Sequence, residues 1–232
     1  MTILALESAA AIASVALTED GVTLAELTLD NGNTHSETLL PMADMLFRLT
    51  GKTCADVDLF AASVGPGSFT GIRIGAATVK GLAFGTGKCC IGVSSLEALA
   101  YGLRGRDGLV CPVLNARRRQ VYTALFRSEN GNIARLTDDT VRTVDELDAY
   151  LADYPEPVLF VGDAARFAAE TATHKAEPVA APLLRASAAS VAYAAQAAYA
   201  RGERGTDATL SPVYLRPCQA ERERMERLQT KI

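Results

Sequence analysis

Leu59-Phe60-Ala61-Ala62-Ser63-Val64, running into Gly65-Pro66-Gly67-Ser68-Phe69-Thr70-Gly71-Ile72-Arg73-Ile74-Gly75, is the stretch on which the reading of this chain turns. The first six residues form a short apolar run ending at turn residues, the pattern of a buried strand. Three glycines and a proline within the next seven make the backbone turn sharply. A helix then opens, predicted over residues 71–84. Such a joint aims backbone N–H groups and the positive end of a helix dipole into one small space, which suits an anion or a closely approaching partner. Pro66 stiffens the turn and removes one donor.

The turn matches none of the common devices. A phosphate loop of the Walker A kind starting at Gly65 would need Gly and Lys where Thr70 and Gly71 stand. A dinucleotide fingerprint fits Gly65 and Gly67 but meets Thr70 in place of its third glycine. A nucleophile elbow is absent, because Ser68 follows Gly67 directly. Two readings stay open for residues 65–71 and Arg73: an anion or nucleotide contact, or a tight strand-to-helix connection.

Upstream, residues 2–8, 13–19 and 22–29 read as three strands, with Asp20-Gly21 as a two-residue hairpin turn. Thr34-x-x-Glu37 is a capping box that opens a helix. Downstream come a short strand at 89–93 and a helix opened by Ser94-x-x-Glu97. The pattern then begins again, with a meander at 109–115, 120–127 and 133–136 and a helix near 144–152. A strand at 158–161 follows, with helices around 164–173 and 187–200. Residues 178–182 read as a loop. The expected organisation is α/β: two subdomains, 1–105 and 106–216, each a mixed sheet with flanking helices, and a helical tail at 217–232.

The 232 residues suffice for one large or two small domains. No apolar run approaches the ~20 residues of a membrane span, and no secretory signal is visible at the N-terminus. Five cysteines without Cys-x-x-Cys spacing suggest neither zinc nor a disulfide framework, so a reducing, cytoplasmic setting is expected. A net charge of −4 argues against a protein that grips nucleic acid by itself. The compact basic run Arg117-Arg118-Arg119 lies between strand-like segments, either as a solvated hairpin tip or as a phosphate or partner contact.

The segment through Gly85 closely resembles the signature of the TsaB (YeaZ) family. The likeness extends to Ile3-Leu4-Ala5-Leu6-Glu7-Ser8, His35-Ser36-Glu37, Gly92-Val93-Ser94-Ser95-Leu96-Glu97, Asn115-Ala116-Arg117-Arg118 and Pro212-Val213-Tyr214-Leu215-Arg216, nearly the whole chain in order. It implies a duplicated actin-like fold of the sugar-kinase and Hsp70-ATPase superfamily. It also implies a noncatalytic scaffold in making threonylcarbamoyladenosine (t6A) at adenosine 37 of ANN-decoding tRNA. The implied partners are TsaD, the threonylcarbamoyl transferase, in a heterodimer, and the ATPase TsaE upon it. A homodimer through the same helices is implied as well, with tRNA reached only through the complex. No cofactor is expected on the chain alone; ATP or ADP is expected at the junction with TsaD.

Actin-like ATPases carry an acid in the first strand pair to hold magnesium and phosphate. Glu7 stands there, where relatives commonly have Asp, so it reads either as a displaced metal ligand or as a structural acid bonded to loop N–H groups. The two histidines, His35 and His174, are far apart and offer no metal-binding helical pair and no nucleophile partner, so no catalytic residue is assigned. The rival classes are a small ATP-dependent enzyme of the same superfamily and a peptidase.

Two helices carry the positive signal. The first is apolar nearly all round, with Leu39, Ala43, Leu46 and Thr50 able to face the home sheet and Met42, Met45 and Leu49 pointing elsewhere. The second holds Gly75 and Gly81, each costing roughly 1 kcal/mol against alanine in a helix interior. Either another chain approaches closely there, or the helix packs tightly within one monomer. The candidate docking residues are Leu39, Met42, Met45, Leu46 and Leu49 on the first helix, with Ile74, Gly75, Thr78 and Gly81 on the second.

Overall fold

The structure is a computed structural model that describes residues 1–173 and 176–216. The expected tail at 217–232, with Cys218, lies outside the described residues, as does His174. The first sheet holds β1 (Thr2–Glu7), β2 (Ala13–Glu19), β3 (Val22–Leu29), β4 (Leu59–Gly65) and β5 (Cys89–Ser94), in the order β3-β2-β1-β4-β5. β1 pairs antiparallel with β2 and parallel with β4, which pairs parallel with β5. Between the strands lie α1 (His35–Thr50) and α2 (Phe69–Ala83).

The second sheet repeats this order. It is built from β6 (Gly108–Asn115), β7 (Gln120–Thr123), β8 (Phe126–Glu129), β9 (Asn132–Arg135), β10 (Thr140–Thr143), β11 (Val158–Val161) and β12 (Ala176–Pro178). Its main path is β10-β7-β6-β11-β12, antiparallel then parallel as in the first. α4 (Val144–Leu151) and α5 (Ala165–Thr171) stand where α1 and α2 stand in the first half, in shorter form.

Both sheets bury both faces, and the period-two alternation of each strand says where. In β1, Leu4 and Leu6 pack with Leu39, Met42 and Leu46 of α1, while Ile3 and Ala5 pack with Val191, Ala194 and Ala195 of α6 (Ala188–Ala200). In β6, Leu109, Cys111 and Val113 meet α4 and α5, while Val110 and Leu114 meet Leu96 and Leu99 of α3 (Ser95–Tyr101). The covering helices are therefore exchanged: α6, from the second half of the chain, closes the first sheet, and α3, from the first half, closes the second. Each such Leu, Ile or Phe contributes about 1.5–3 kcal/mol of burial, which binds the halves into one body.

Three readings need correction. Residues 120–127 are not one strand: Ala124 and Leu125 break it, because Leu125 turns its N–H to Thr137 Oγ1 and its carbonyl to Leu136 and Thr137. β8 and β9 form an added hairpin about Asn130-Gly131, both at positive φ. The sheet's own third strand is β10, which sequence reading passed over. Ala176–Pro178 is an edge strand that sequence reading passed over, and it ends at the first residue of the expected loop 178–182. On α1, Met42 does not point outward; it shares one face with Leu39 and Leu46, and all three are buried in their own core.

Candidate functional site

The glycine-rich turn and the turn between β1 and β2 are packed against each other at the carboxyl ends of their strands. Ser68 caps α2, its hydroxyl accepting from Gly71 N, and its own N–H donates to Ala9 O at 2.7 Å. Ser8 Oγ donates to Gly71 O at 2.9 Å. A side chain would not fit between them: a Cβ on Gly71 would lie 2.0 Å from Ser8 O, and one on Gly75 would lie 2.2 Å from Ser8 Oγ. Gly75 is therefore spent inside the monomer, which corrects its assignment to a docking face. Gly81 has nothing within 4 Å of its Cβ position and lies open.

Glu7 sits behind this packing at the end of β1, 1% exposed. Its Oε1 accepts from Ala9 N at 2.7 Å, and Oε2 is buried without a partner among the described residues. Burial pushes its carboxyl up to about 7, with bonds from Ala9, Ser63 and Ser8 opposing. Glu7 is thus bonded to the N–H groups of the adjoining turn, with its second oxygen enclosed. No group of three or more metal-ligating side chains occurs among the described residues.

Beyond this packing a cleft of about 620 Å³ opens between the two sheets. Ala9–Ala11, His35 and Pro66–Thr70 form one wall; Leu114–Arg117, Tyr122 and Asp163 form the other; Val213–Arg216 crosses between them. His35 Nε2 bonds Ala10 O at 2.9 Å. The crossing segment is tied to both sides, by Val213 N to Val64 O at 2.8 Å and by Arg216 Nη1 to Ala116 O at 2.7 Å. Phe69 stacks on Tyr214 at 4.7 Å between centroids. The Arg73 guanidinium lies 3.8 Å over Phe69, and its Nε donates to Tyr214 Oη at 2.6 Å. Arg73 thus holds the crossing segment onto α2, and Thr70 is exposed at the cleft edge.

Of the residues the sequence singled out here, Pro66 to Thr70 line the cleft, while Glu7, Gly65, Gly71 and Arg73 stand behind or beside it. The structure adds Ala9–Ala11, Tyr122 and Asp163, for which no local signal existed, and brings in Asn115–Arg117, whose motif and basic run the sequence had marked. Tyr214 and Arg216 lay within a quoted motif without a role. Arg117, Arg118 and Arg119 form an exposed hairpin turn with φ of +64°, +54° and +58°. Left-handed backbone costs a residue with a Cβ roughly 1–2 kcal/mol.

The exposed apolar side chains of the first half lie on β3 (Val22, Leu24 and Leu29), on α1 and at the end of α2. Leu40, Met45 and Leu49 are 55%, 49% and 67% exposed, and Phe84, just past α2, is 78% exposed. Ile74 and Thr78 are half-buried. Of the nine candidate docking residues, Leu39, Met42, Leu46 and Gly75 are inside the fold. Met45, Leu49 and Gly81 are open, and Ile74 and Thr78 lie at the margin.

The family model described as "TsaD: tRNA N6-adenosine threonylcarbamoyltransferase" matches residues 30–211, more than half of the chain. A Bacillus subtilis protein named tRNA threonylcarbamoyladenosine biosynthesis protein TsaB is 35% identical over 176 residues, 75% of this chain and 74% of that relative. The solved structure of YeaZ from Pseudomonas aeruginosa superposes with a TM-score of 0.81 at 28% identity, covering 92% of this chain and 99% of that one. Component A of the Acidaminococcus fermentans (R)-2-hydroxyglutaryl-CoA dehydratase shares the fold alone, with a TM-score of 0.52 at 13% identity, covering 86% and 99%. The architecture is that of the actin-like ATPases. With this architecture and a relative of this identity over three quarters of its length, the chain belongs to the TsaB (YeaZ) family.

Proposed function

We propose that this protein acts in making threonylcarbamoyladenosine in tRNA, as a noncatalytic partner that activates the transferase TsaD. The observation that carries the reading is the open apolar face of α1 and the end of α2; the packing of Ser8 onto Gly71 and Gly75 and of Ala9 onto Gly67 fits it, because it holds the β1–β2 turn fixed against the glycine-rich turn. The names of its relatives supply the pathway. The open apolar side chains Met45, Leu49 and Phe84 supply a surface for a partner. Pairing through that surface would favour the productive conformation of TsaD, a coupling free energy and not bond chemistry. In the absence of TsaD two copies would pair through the same face. TsaE would bind the heterodimer, and ATP or ADP would bind at the junction, outside the cleft of this chain.

Reconstitution of tRNA modification from TsaD and TsaE, supplied with ATP and with threonylcarbamoyl-adenylate as the group donor and read by threonine incorporation, tests this. Omitting this chain is expected to reduce incorporation to background. Incorporation unchanged by the omission would overturn the reading. Met45→Glu places a charge on the exposed face without touching the core. It is expected to abolish co-elution with TsaD while its own thermal melt is unchanged.

A further inference from the structure

We infer that the β6–β7 turn is a contact surface for RNA, with Arg117, Arg118 and Arg119 meeting backbone phosphates and Tyr214 offering a face to an unpaired base at the cleft mouth. The inference rests on the functional reading above and adds to it which surface of this chain the tRNA touches.

The turn is a dense concentration of positive charge on a chain whose net charge is −4. All three arginines are exposed, and Arg166 on the neighbouring α5 is exposed as well. Guanidinium groups match phosphate oxygens with two parallel donors each, where lysine offers only a point charge. The backbone carries a second observation. Three successive residues hold a left-handed conformation that glycine or asparagine adopts with less strain, yet each position has an arginine. A turn whose task was only to reverse the chain would be better made from those smaller residues.

The turn is also fixed in place. Ala116 N donates to Gln120 O at 2.9 Å and Gln120 N to Arg117 O at 3.0 Å, closing the loop. Arg216 Nη1 bonds Ala116 O, and the Arg119 guanidinium lies 5.8 Å from the Phe167 ring. A rigid arrangement loses less freedom on binding.

An acidic peptide would also be drawn to three arginines, but it would have no use for the aromatic surface beside them. Arg117 and Tyr214 line the same cleft, with Tyr122 and Phe69. Tyr214 is 42% exposed beyond its stack on Phe69. Guanidinium groups beside open aromatic faces are the pairing with which proteins hold single-stranded RNA: phosphates on the cations, unstacked bases on the rings. Asp163 is the acid in the cleft, and its Oδ1 is engaged by Asn115 N at 2.8 Å.

The test uses the complex with TsaD and a fluorescently labelled ANN-decoding tRNA, with affinity read by anisotropy across a salt series. The variant Arg117→Asn/Arg118→Asn/Arg119→Asn removes the charge while keeping residues that tolerate the left-handed turn, so its melt should match or exceed the parent's. Its co-elution with TsaD should be intact. The logarithmic salt slope should fall by about 2, three contacts at roughly 0.7 each. The dissociation constant for tRNA should rise about tenfold or more at low salt. A triple lysine variant should recover most of the slope and only part of the affinity. An Asn variant with the parent's slope and affinity would overturn the inference, and so would loss of TsaD pairing, which would make the turn a protein contact. If the parent chain itself adds nothing to incorporation, the functional reading has failed, which is a separable result.

Discussion

Residues 8–12 join the first antiparallel pair of one sheet, and residues 116–119 join the first antiparallel pair of the other, in sheets of the same strand order. In the first turn small residues, Ser8 and Ala9, are pressed against Gly71 and Gly75 so closely that no Cβ fits. In the second, three large cationic side chains stand in solvent on strained backbone. The first turn is built into the fold through backbone contact. The second is held at the surface, tied through Ala116 O to Arg216, and loaded with charge. The cleft opens between the two.

The comparison breaks most visibly at Gly71. Gly71→Ala puts a methyl group 2.0 Å from a backbone oxygen on a neighbouring turn, which cannot yield as a flexible side chain would. The expected loss is about 3 kcal/mol, at the upper end of overpacking, read as a fall in the denaturant midpoint. If the variant were as stable as the parent, the two turns would not be in contact.

Glu7 gives the next effect, and it depends on pH. Its carboxyl has an ordinary value of 4.5 and is held at about 7 by burial. Below 4.5 folded and unfolded chains both carry the proton, and burial of the acid costs nothing extra. Between 4.5 and 7 the unfolded chain ionises first, so stability is lost as pH rises, and above 7 the loss is complete. The full shift corresponds to a ceiling of about 3 kcal/mol. Glu7→Gln removes the ionisation but leaves an amide that also needs partners, so a net gain of about 2 kcal/mol is expected at pH 8, vanishing near pH 4. A variant whose stability tracks the parent at every pH would show that Glu7 is ionised in the folded protein. It would then be a candidate ligand again.

The strand and helix order of the first half was legible because it rests on local signals: period-two apolar runs, Asp20-Gly21, and Thr34 with Glu37. Ser94 was read as a capping box, and half of that holds. Its hydroxyl accepts from Leu96 N and Glu97 N, but Glu97 pairs with Arg135 and not with the cap. The turn of the β8–β9 hairpin was legible, with Asn130-Gly131 between the expected strands 120–127 and 133–136, but the break before it was not, because Ala124-Leu125 reads as strand and only the tertiary bonds to residues 136 and 137 interrupt it. The site was legible on one wall only. Asn115, Asp163 and Tyr214 come together from three parts of the chain, and no spacing rule connects them. The direction of Met42 was misjudged because a helix apolar all round offers no contrast from which to choose a face.

Gly75 and Gly81 share one helix and looked alike in sequence, yet one is enclosed by Ser8 and the other faces nothing. Gly81→Ala should therefore act on the free monomer only through helix propensity, a gain of roughly 0.5–1 kcal/mol, or about 2 °C in melting temperature. The methyl group is small, so pairing with TsaD would weaken only if the partner backbone approaches at that point. A lower melting temperature in the variant would mean that this end of α2 is already covered in solution by a second copy. Measuring the melt across a range of protein concentrations separates these cases: a midpoint independent of concentration belongs to an open face, and a rising one belongs to a dimer.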